Sequence, residues 1–181
     1  MIHIGGIEMQ RIWITGSSGP GKTTLANIIG AKLNIPVYYN DIIFWMTGWK
    51  VRPRNEQIEI TKGITQNDKW IYEGNRFSSC KKDGRYNQCD IIIFLKINRF
   101  ICLYRFLKRY FKHRGTVRPD ISEGCIEKID IDILKYILFD YPNKKNERKE
   151  LFNEALKNKK NVIILSGVKS VKKWLETLNQ M

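Results

Sequence analysis

The sequence lacks long hydrophobic runs: no segment reaches the roughly 18 consecutive apolar residues that a membrane-spanning helix requires. Residues 1–10 have no basic start, no long apolar segment and no small-residue cleavage site, so we expect no secretion signal. Cysteine is also scarce, with four residues at positions 80, 89, 102 and 125 and no CxxC pair. This spacing indicates neither a zinc site nor a disulfide framework, and without a signal it predicts free thiols in the cytoplasm.

Acidic residues are few as well, with 18 Asp and Glu against 32 Lys and Arg and a formal net charge of +14. Such a charge favours an anionic partner: nucleic acid, a membrane surface or a phosphorylated small molecule. Residues 91–119 contain no acid and carry the eight basic residues Lys96, Arg99, Arg105, Lys108, Arg109, Lys112, Arg114 and Arg118. The hydrophobic content of 43% excludes a disordered basic tail, and 181 residues predict a single domain spanning 1–181.

Short apolar segments alternate with helical patterns along the chain. The strands are predicted at 12–15, 36–39, 70–73, 91–95 and 162–165. The helices are predicted at 23–33, 54–66, 99–112, 128–140, 144–158 and 170–178. This alternation predicts an α/β doubly wound fold, with a five-stranded parallel sheet flanked by helices. The helix at 99–112 is amphipathic, and its predicted apolar side consists of Phe100, Leu103, Leu107 and Phe111.

A glycine-rich turn joins the first predicted strand to the first helix. It matches the pattern G-x-x-x-x-G-K-[ST] of a phosphate-binding loop, or P-loop, with Gly16, Ser17, Ser18, Gly19, Pro20, Gly21, Lys22 and Thr23, and Thr24 follows. Glycines let the backbone wrap closely around a phosphate, and the N–H groups of the loop and of the helix N-terminus then point at the anion. We therefore predict that residues 16–24 bind a nucleoside triphosphate, with ATP favoured.

The side chains of this loop predict phosphoryl chemistry. Lys22 would place its charge on the β- and γ-phosphates, and the Thr23 hydroxyl would ligate Mg²⁺. The spacing differs from G-x-G-x-x-G, which excludes a dinucleotide fingerprint at this turn, and the sequence has no NKxD-like guanine signature. A short chain with a basic segment after the fourth strand favours a small kinase, because charge builds on the transferred phosphoryl group and arginines stabilise it.

Several further segments carry a family likeness: 39–49, 70–75, 102–109, 114–120 and 123–125. Together with 16–24 they resemble the P-loop kinases related to adenylate kinase, and most closely the bacterial DNA topology modulation protein family. The likeness covers nearly the whole chain from Met9 onward. It implies a three-layer P-loop fold with a helical lid inserted at about 110–125, and ATP and Mg²⁺ as cofactors.

The resemblance also implies roles for single residues. Glu73, at the end of the third strand, would hold magnesium through water, and Arg76 would bind a substrate phosphate. Residues 166–168 would pack against the adenine base. The catalytic arginines that it implies are Arg105 and Arg109, where the lid opens, and Arg114 and Arg118 within the lid.

Elementary chemistry supports some of these assignments and leaves one open. Asp41 follows the second strand at the carboxyl edge of the sheet, where open α/β folds bind ligands. It would either orient an acceptor hydroxyl or a magnesium-bound water, or cap the next helix. An acid that ends a buried strand, as Glu73 does, is costly unless it is used. Arg105 and Arg109 have no acid near them in the sequence, which favours a functional role over a solvated face.

These observations predict a Mg²⁺-dependent kinase that transfers the γ-phosphoryl group of ATP. Its acceptor would be a small phosphorylated or hydroxylated molecule, such as a nucleotide, in a cleft lined by Asp41, Arg52 and Arg76, and no membrane partner is expected. The alternative is an ATP-responsive nucleic-acid-binding regulator that affects DNA topology. A third interpretation is an RNA-end or tRNA kinase, which the added charge at 144–160 would suit.

Overall fold

The computed structural model describes residues 3–4 and 7–180. Its strands are β1 His3–Ile4, β2 Ile7–Glu8, β3 Arg11–Gly16, β4 Val37–Tyr39, β5 Trp45–Met46, β6 Lys50–Val51, β7 Trp70–Glu73, β8 Ile91–Lys96 and β9 Asn161–Ser166. Five of them form a parallel sheet in the order β4-β7-β3-β8-β9. The other four form two short antiparallel pairs, β1 with β2 and β5 with β6. The predicted five-stranded parallel sheet is therefore confirmed.

Helices fill the connections between these strands. They are α1 Lys22–Leu33, α2 Asn40–Phe44, α3 Arg54–Thr65, α4 Arg85–Gln88, α5 Arg99–His113, α6 Ile131–Lys135, α7 Tyr141–Asn143, α8 Lys145–Lys157 and α9 Gly167–Gln180. A π-helical stretch, Tyr136–Asp140, joins α6 to α7, so the helix predicted at 128–140 begins later and is irregular. Among the described residues, no helix is both long and apolar enough to cross a membrane.

The sheet separates two hydrophobic clusters, because successive strand residues point to opposite faces. On β3, Ile12 and Ile14 pack in a cluster that includes residues of α1 and α9, whereas Trp13 packs in another with residues of α3 and α8. The predicted α/β architecture of a sheet covered on both faces is confirmed. All four cysteines are free and buried.

An ion pair is buried in the segment that follows β7. Arg85 is 1% exposed, and its Nε and Nη2 donate to the two carboxylate oxygens of Asp83 at 2.9 and 2.7 Å. The same Nη2 donates to the carbonyl oxygen of Arg76 at 2.8 Å. Because a buried guanidinium needs such partners, this pair fixes the chain between β7 and β8 against the sheet.

The predicted apolar side of α5 is confirmed for Leu103 and Leu107, which pack against a buried cluster, but not for its two phenylalanines. Cys102 and Phe106 are the buried residues of α5 and pack with Ile137 of the π-helical stretch. Phe100 and Phe111 are 61% and 67% exposed, which corrects their assignment to the apolar side. The reason is tertiary: the helix is covered along its middle turns, so the phenylalanines near its two ends reach solvent.

The predicted helical lid is wrong for most of its length. Helix α5 continues to His113, but residues 114–130 form turns held by isolated bridges, Arg114 to Glu127 and Val117 to Ile126. We call residues 114–127 the 114–127 loop. The sequence gives a physical reason, since Gly115, Pro119 and Gly124 interrupt this segment and both glycine and proline disfavour a continuous helix.

Candidate active site

The P-loop connects β3 to α1 and is shaped by its glycines. Gly19 and Gly21 have φ angles of 80° and 100°, a region that favours glycine. A Cβ on Gly19 would overlap the carbonyl oxygen of Cys102, so the loop also rests directly on α5. Its eight residues, from Gly16 to Thr23, thus lie where the N-terminus of α1 presents free N–H groups to an anion.

Lys22 points into this loop and meets an acid at the end of the neighbouring strand. Its Nζ donates to the carbonyl oxygen of Ser17 at 2.8 Å and lies 3.2 Å from Oε1 of Glu73. Glu73 is buried, and burial raises the pKa of its carboxyl group, an effect that the charge of Lys22 opposes. The pair places one cation and one carboxylate at the carboxyl ends of the central strands β3 and β7.

Thr23 lies between two carboxylates. Its Oγ1 is 3.4 Å from Oε2 of Glu73 and 3.3 Å from Oδ2 of Asp120, which comes from the 114–127 loop. Within the described ranges, no group of three or more His, Cys, Asp or Glu side chains could hold a metal. A hydroxyl and two carboxylates still suit Mg²⁺, which is commonly bound through one or two carboxylates together with substrate phosphates. Thr23, Glu73 and Asp120 therefore fit a magnesium ion that arrives with a nucleotide.

Arg118 is the most enclosed cation of the 114–127 loop, with 4% of its side chain exposed. Its Nε donates to Oε2 of Glu127 at 2.7 Å, and its Nη1 donates to both carboxylate oxygens of Asp120 at 2.9 Å. Nη2 lies 4.0 Å from Oδ2 of Asp41. Burial acts to lower the pKa of Arg118, but the charges of Asp120 and Glu127 outweigh it and raise that pKa. Arg118 is thus a fully charged group whose fork is already engaged.

Arg105 and Arg109 both lie at the cavity but differ in their partners. Nη1 of Arg105 donates to the carbonyl oxygen of Pro20 at 2.8 Å, which ties α5 to the P-loop. Nε of Arg109 lies 3.4 Å from Oε1 of Glu127, without hydrogen-bond geometry. Burial, with Arg118 nearby, lowers the pKa of Arg109. The expectation that Arg109 has no acid partner is wrong, because its acid comes from beyond the basic run.

Asp41 lies in the first turn of α2, after Tyr39 at the N-cap, and α2 has no side-chain cap hydrogen bond. The helix-capping alternative for Asp41 therefore does not hold. Its side chain is 47% exposed and lines a cavity of about 860 Å³ that also contains the P-loop residues from Ser18 to Thr24. The carboxylate is free to meet a ligand there.

Arg52, Arg76 and Arg114 lie outside the lining of this cavity. Nη1 of Arg76 donates to Oε1 of Gln57 at 2.5 Å, and its guanidinium lies 4.4 Å from the ring centroid of Phe44. Burial lowers the pKa of Arg76. Nε of Arg52 donates to the carbonyl oxygen of Ile43 at 2.9 Å, and Arg114 is exposed. The structure thus brings Asp41 together with the P-loop but engages Arg52 and Arg76 elsewhere.

The sheet order divides the cavity into two sides. The P-loop follows the central strand β3, Asp41 follows β4 at one edge, and α9 follows β9 at the other. We call the residues 16–23, with the cavity-lining cations Arg105, Lys108 and Lys172, the P-loop side. The carboxylate side consists of Asp41, Arg109, Arg118, Asp120 and Glu127. Val168, from the predicted adenine loop, lines the cavity as well.

Asp120 and Glu127 were not assigned a role from the sequence, although the many acids in residues 120–140 could have indicated partners for the basic run. That segment contains the six acids Asp120, Glu123, Glu127, Asp130, Asp132 and Asp140 directly after the basic run. Nor was a role assigned to Trp45 and Trp49, which line the cavity with ring centroids 5.3 Å apart. Nε1 of Trp49 donates to the carbonyl oxygen of Ile126 at 2.9 Å, so Trp49 holds the 114–127 loop against the connection between β5 and β6.

No protein-family model and no curated protein matches this sequence. Solved structures share its fold. A shikimate kinase from Bacteroides thetaiotaomicron superposes with a TM-score of 0.53 at 18% identity, over 95% of this chain and 99% of that one. A shikimate kinase from Acinetobacter baumannii, in complex with shikimate, gives 0.58 at 15% identity, over 97% and 94%. A deoxyadenosine kinase from M. mycoides with bound dCTP gives 0.45 at 14% identity, over 94% and 99%.

These likenesses establish the fold and leave the family open. The first two structures align over nearly all of both chains with TM-scores above 0.5, so they share the overall fold of this chain. The resemblance to the DNA topology modulation family stays a prediction, since no family model supports it. The chain has the P-loop kinase fold of the shikimate kinases.

Proposed function

We propose that this protein is a Mg²⁺-dependent phosphotransferase that moves the γ-phosphoryl group of ATP to the hydroxyl of a small molecule. One observation carries the proposal. Four polar side chains meet beside the P-loop, inside a cavity of about 860 Å³, with contacts of 3.4 Å or less that link Lys22 to Glu73 and Thr23 to Glu73 and Asp120. A donor site and room for an acceptor therefore adjoin each other.

On the P-loop side, the phosphates of ATP would replace protein contacts that exist without them. Lys22 now contacts Ser17 and Glu73, and its ammonium would turn to the β- and γ-phosphates. Arg105, held by the carbonyl oxygen of Pro20, would add positive charge beside the loop. Thr23 and Glu73, with Asp120, would hold Mg²⁺, which when bound neutralises charge on the transferred phosphoryl group.

On the carboxylate side, Asp41 would receive the acceptor. Its half-exposed carboxylate would accept a hydrogen bond from the acceptor hydroxyl and then take its proton. The hydroxyl oxygen would form a bond to the γ-phosphorus as the bond from that phosphorus to the β-phosphate oxygen breaks. The products are a phosphate ester, ADP and one proton, which leaves Asp41 for solvent.

The described residues give no observation that favours the nucleic-acid alternative. Arg105, Arg109 and Arg118 belong to the basic run, and each is bound inside the cavity by a carbonyl or carboxylate oxygen or lies close to one. Charge that is engaged in this way is not presented as an open phosphate-binding surface.

The proposal is tested with purified protein, MgATP and a panel of hydroxyl compounds, by following ADP release and by calorimetric binding of MgATP. Lys22→Ala should lower phosphoryl transfer by about 10²–10³-fold, the usual effect of losing one donor to developing charge. Lys32→Ala is the matched control, because Lys32 lies in the last turn of the same helix. Full activity of Lys22→Ala, or no MgATP binding by the unaltered protein, would refute the proposal.

A further inference from the structure

The two sides of the cavity differ in how their charges are balanced. The cavity-lining cations with no carboxylate ion pair within the described ranges are Lys108, Lys112, Arg105, Lys128 and Lys172. On the carboxylate side, Asp41, Asp120 and Glu127 face the guanidinium groups of Arg109 and Arg118. Three carboxylates thus stand against two guanidinium groups where the acceptor would bind.

Two of the three guanidinium nitrogens of Arg118 already donate to carboxylates, so only Nη2 is left for a ligand phosphate. Its Nε is used by Glu127, its Nη1 by both oxygens of Asp120, and its Nη2 faces Asp41 at 4.0 Å. A phosphate ester usually takes two donors of one guanidinium at once. A phosphate that bound two nitrogens of this fork would therefore have to displace Asp120 or Glu127 and would then lie beside that carboxylate, which like charges oppose.

Lys128, beside Trp49, also lines the cavity and has no carboxylate ion pair among the described residues. Its Nζ is 5.3 Å from the ring centroid of Trp49, and the residue is exposed. A single solvated ammonium is a weak substitute for an arginine fork.

The two arginines that were expected to line the acceptor cleft are engaged outside the cavity. Arg76 stacks on Phe44 and bonds to Gln57, and Arg52 bonds to the carbonyl oxygen of Ile43. Neither side chain lines the cavity. Neither Arg52 nor Arg76 is therefore placed to bind an acceptor phosphate in the cavity.

The remaining lining suits an uncharged ring with hydroxyl groups. Trp45 and Trp49 present half-buried aromatic surface, which packs against sugar or base rings. Asp41, Asn40 and Asn75 add acceptors and donors beside it. Carboxylates and amides of this kind hydrogen-bond hydroxyl groups without requiring a negative charge on the ligand.

We propose that the acceptor is a hydroxyl compound that carries no phosphate group, neutral or bearing an amine, and not a nucleotide or a sugar phosphate. This inference rests on the proposed function and specifies its substrate class. The reaction is the one balanced above: the acceptor hydroxyl loses its proton to Asp41, gains the γ-phosphoryl group, and leaves as a monophosphate. The negative charge of the carboxylate side accordingly disfavours an acceptor that already carries a phosphate. After transfer, the same charge favours release of the phosphorylated product.

The first test compares matched pairs of acceptors that differ by one phosphate. Adenosine and AMP, thymidine and TMP, glucose and glucose 6-phosphate, and glucosamine and glucosamine 6-phosphate are each incubated with MgATP, and kcat/KM is taken from ADP release. The inference expects the unphosphorylated member to exceed its partner by at least about tenfold wherever either reacts. Preference for the phosphorylated member overturns the inference and leaves the proposed kinase activity standing.

The second test needs no knowledge of the acceptor. The full chain is loaded with magnesium and a non-hydrolysable ATP analogue, and inorganic phosphate is titrated in while the intrinsic tryptophan fluorescence and the heat of binding are followed. The inference expects no saturable phosphate binding in the millimolar range. Saturable binding overturns it, whereas failure of the nucleotide analogue to bind refutes the proposed function instead, so the two failures are distinguishable.

A charge variant sharpens both tests. Glu127→Gln keeps the shape of the side chain but leaves Nε of Arg118 and the guanidinium of Arg109 without a carboxylate. We expect this variant to bind inorganic phosphate and to shift the paired ratio toward the phosphorylated acceptors by about tenfold. Glu123→Gln, an exposed acid of the same loop, is the control and should leave the ratio unchanged. Equal ratios in both variants count against the inference, provided that thermal unfolding shows Glu127→Gln to be folded.

Discussion

The P-loop and the 114–127 loop both bring charge to the same cavity, but they do so in opposite ways. The P-loop uses eight consecutive residues, backbone N–H groups and one lysine, and its geometry depends on glycines with positive φ. The 114–127 loop uses side chains that are far apart in the chain, and its central arginine is surrounded by carboxylates from three positions. Short-range motifs therefore report their chemistry directly, whereas the net effect of a basic segment depends on partners that only the fold supplies.

The largest effect is expected from a substitution that removes the ion pair between Arg118 and Glu127 in the 114–127 loop. Glu127→Ala removes one of the two carboxylates that accept hydrogen bonds from buried Arg118, with Asp120 left in place, and also the nearest acid to Arg109. A buried charged donor that loses its acceptor costs about 3 kcal/mol. We expect urea unfolding to show that loss in the free energy of unfolding. Glu123→Ala, in an exposed position of the same loop, should stay within about 0.5 kcal/mol of the unaltered protein. Equal losses in both variants would mean that the Glu127 pair contributes nothing to stability.

The next prediction compares one glycine from each region. Gly19 and Gly115 have nearly the same φ, 80° and 76°, but only Gly19 has backbone where a Cβ would go, the carbonyl of Cys102. Gly115→Ala should therefore cost about 1 kcal/mol for its φ alone. Gly19→Ala should cost about 1–3 kcal/mol beyond that, because α5 must move away from the loop, and it should weaken MgATP binding. Similar unfolding free energies for the two variants would show that the P-loop does not rest rigidly on α5.

The sequence predicts the P-loop and the strands well but not the contacts of the 114–127 loop, because only the former depend on residues that are close together in the chain. The five strands and the P-loop follow from local patterns, since apolar runs and glycine spacing act through nearby atoms. The buried stripe of α5 does not, because its position depends on the π-helical stretch that packs on Cys102 and Phe106. Nor does the pairing of Arg109 with Glu127, 18 positions away in the chain (127 − 109), which closes only when the 114–127 loop folds back.

A third prediction asks whether the 114–127 loop contributes to the metal site of the P-loop. Asp120→Asn keeps the size of the side chain but removes the negative charge 3.3 Å from Oγ1 of Thr23. We expect Mn²⁺ affinity, measured by electron paramagnetic resonance with a non-hydrolysable ATP analogue bound, to fall by about tenfold. Glu73→Gln should lower it at least as much, since that carboxylate also lies on Thr23 and is buried. Unchanged Mn²⁺ affinity in Asp120→Asn would confine the metal site to the P-loop side.

The smallest effect is expected from a substitution of Trp49, which holds the 114–127 loop to the connection between β5 and β6. Nε1 of Trp49 donates to the carbonyl oxygen of Ile126 at 2.9 Å, and Trp49→Phe removes that bond while keeping an aromatic ring. A single hydrogen bond of this kind contributes about 1 kcal/mol, so amide hydrogen exchange within 114–127 should quicken by about fivefold while exchange in β3 and β8 stays unchanged. Trp174→Phe is the control, because Trp174 lies on α9 and packs against the hydrophobic cluster that contains Ile12 and Ile14, away from the 114–127 loop. Since the bond lies at the rim of the loop and the ionic centre at Arg118 stays intact, global stability should change by less than in Glu127→Ala. Faster exchange throughout the sheet would instead mean that the 114–127 loop unfolds only together with the core.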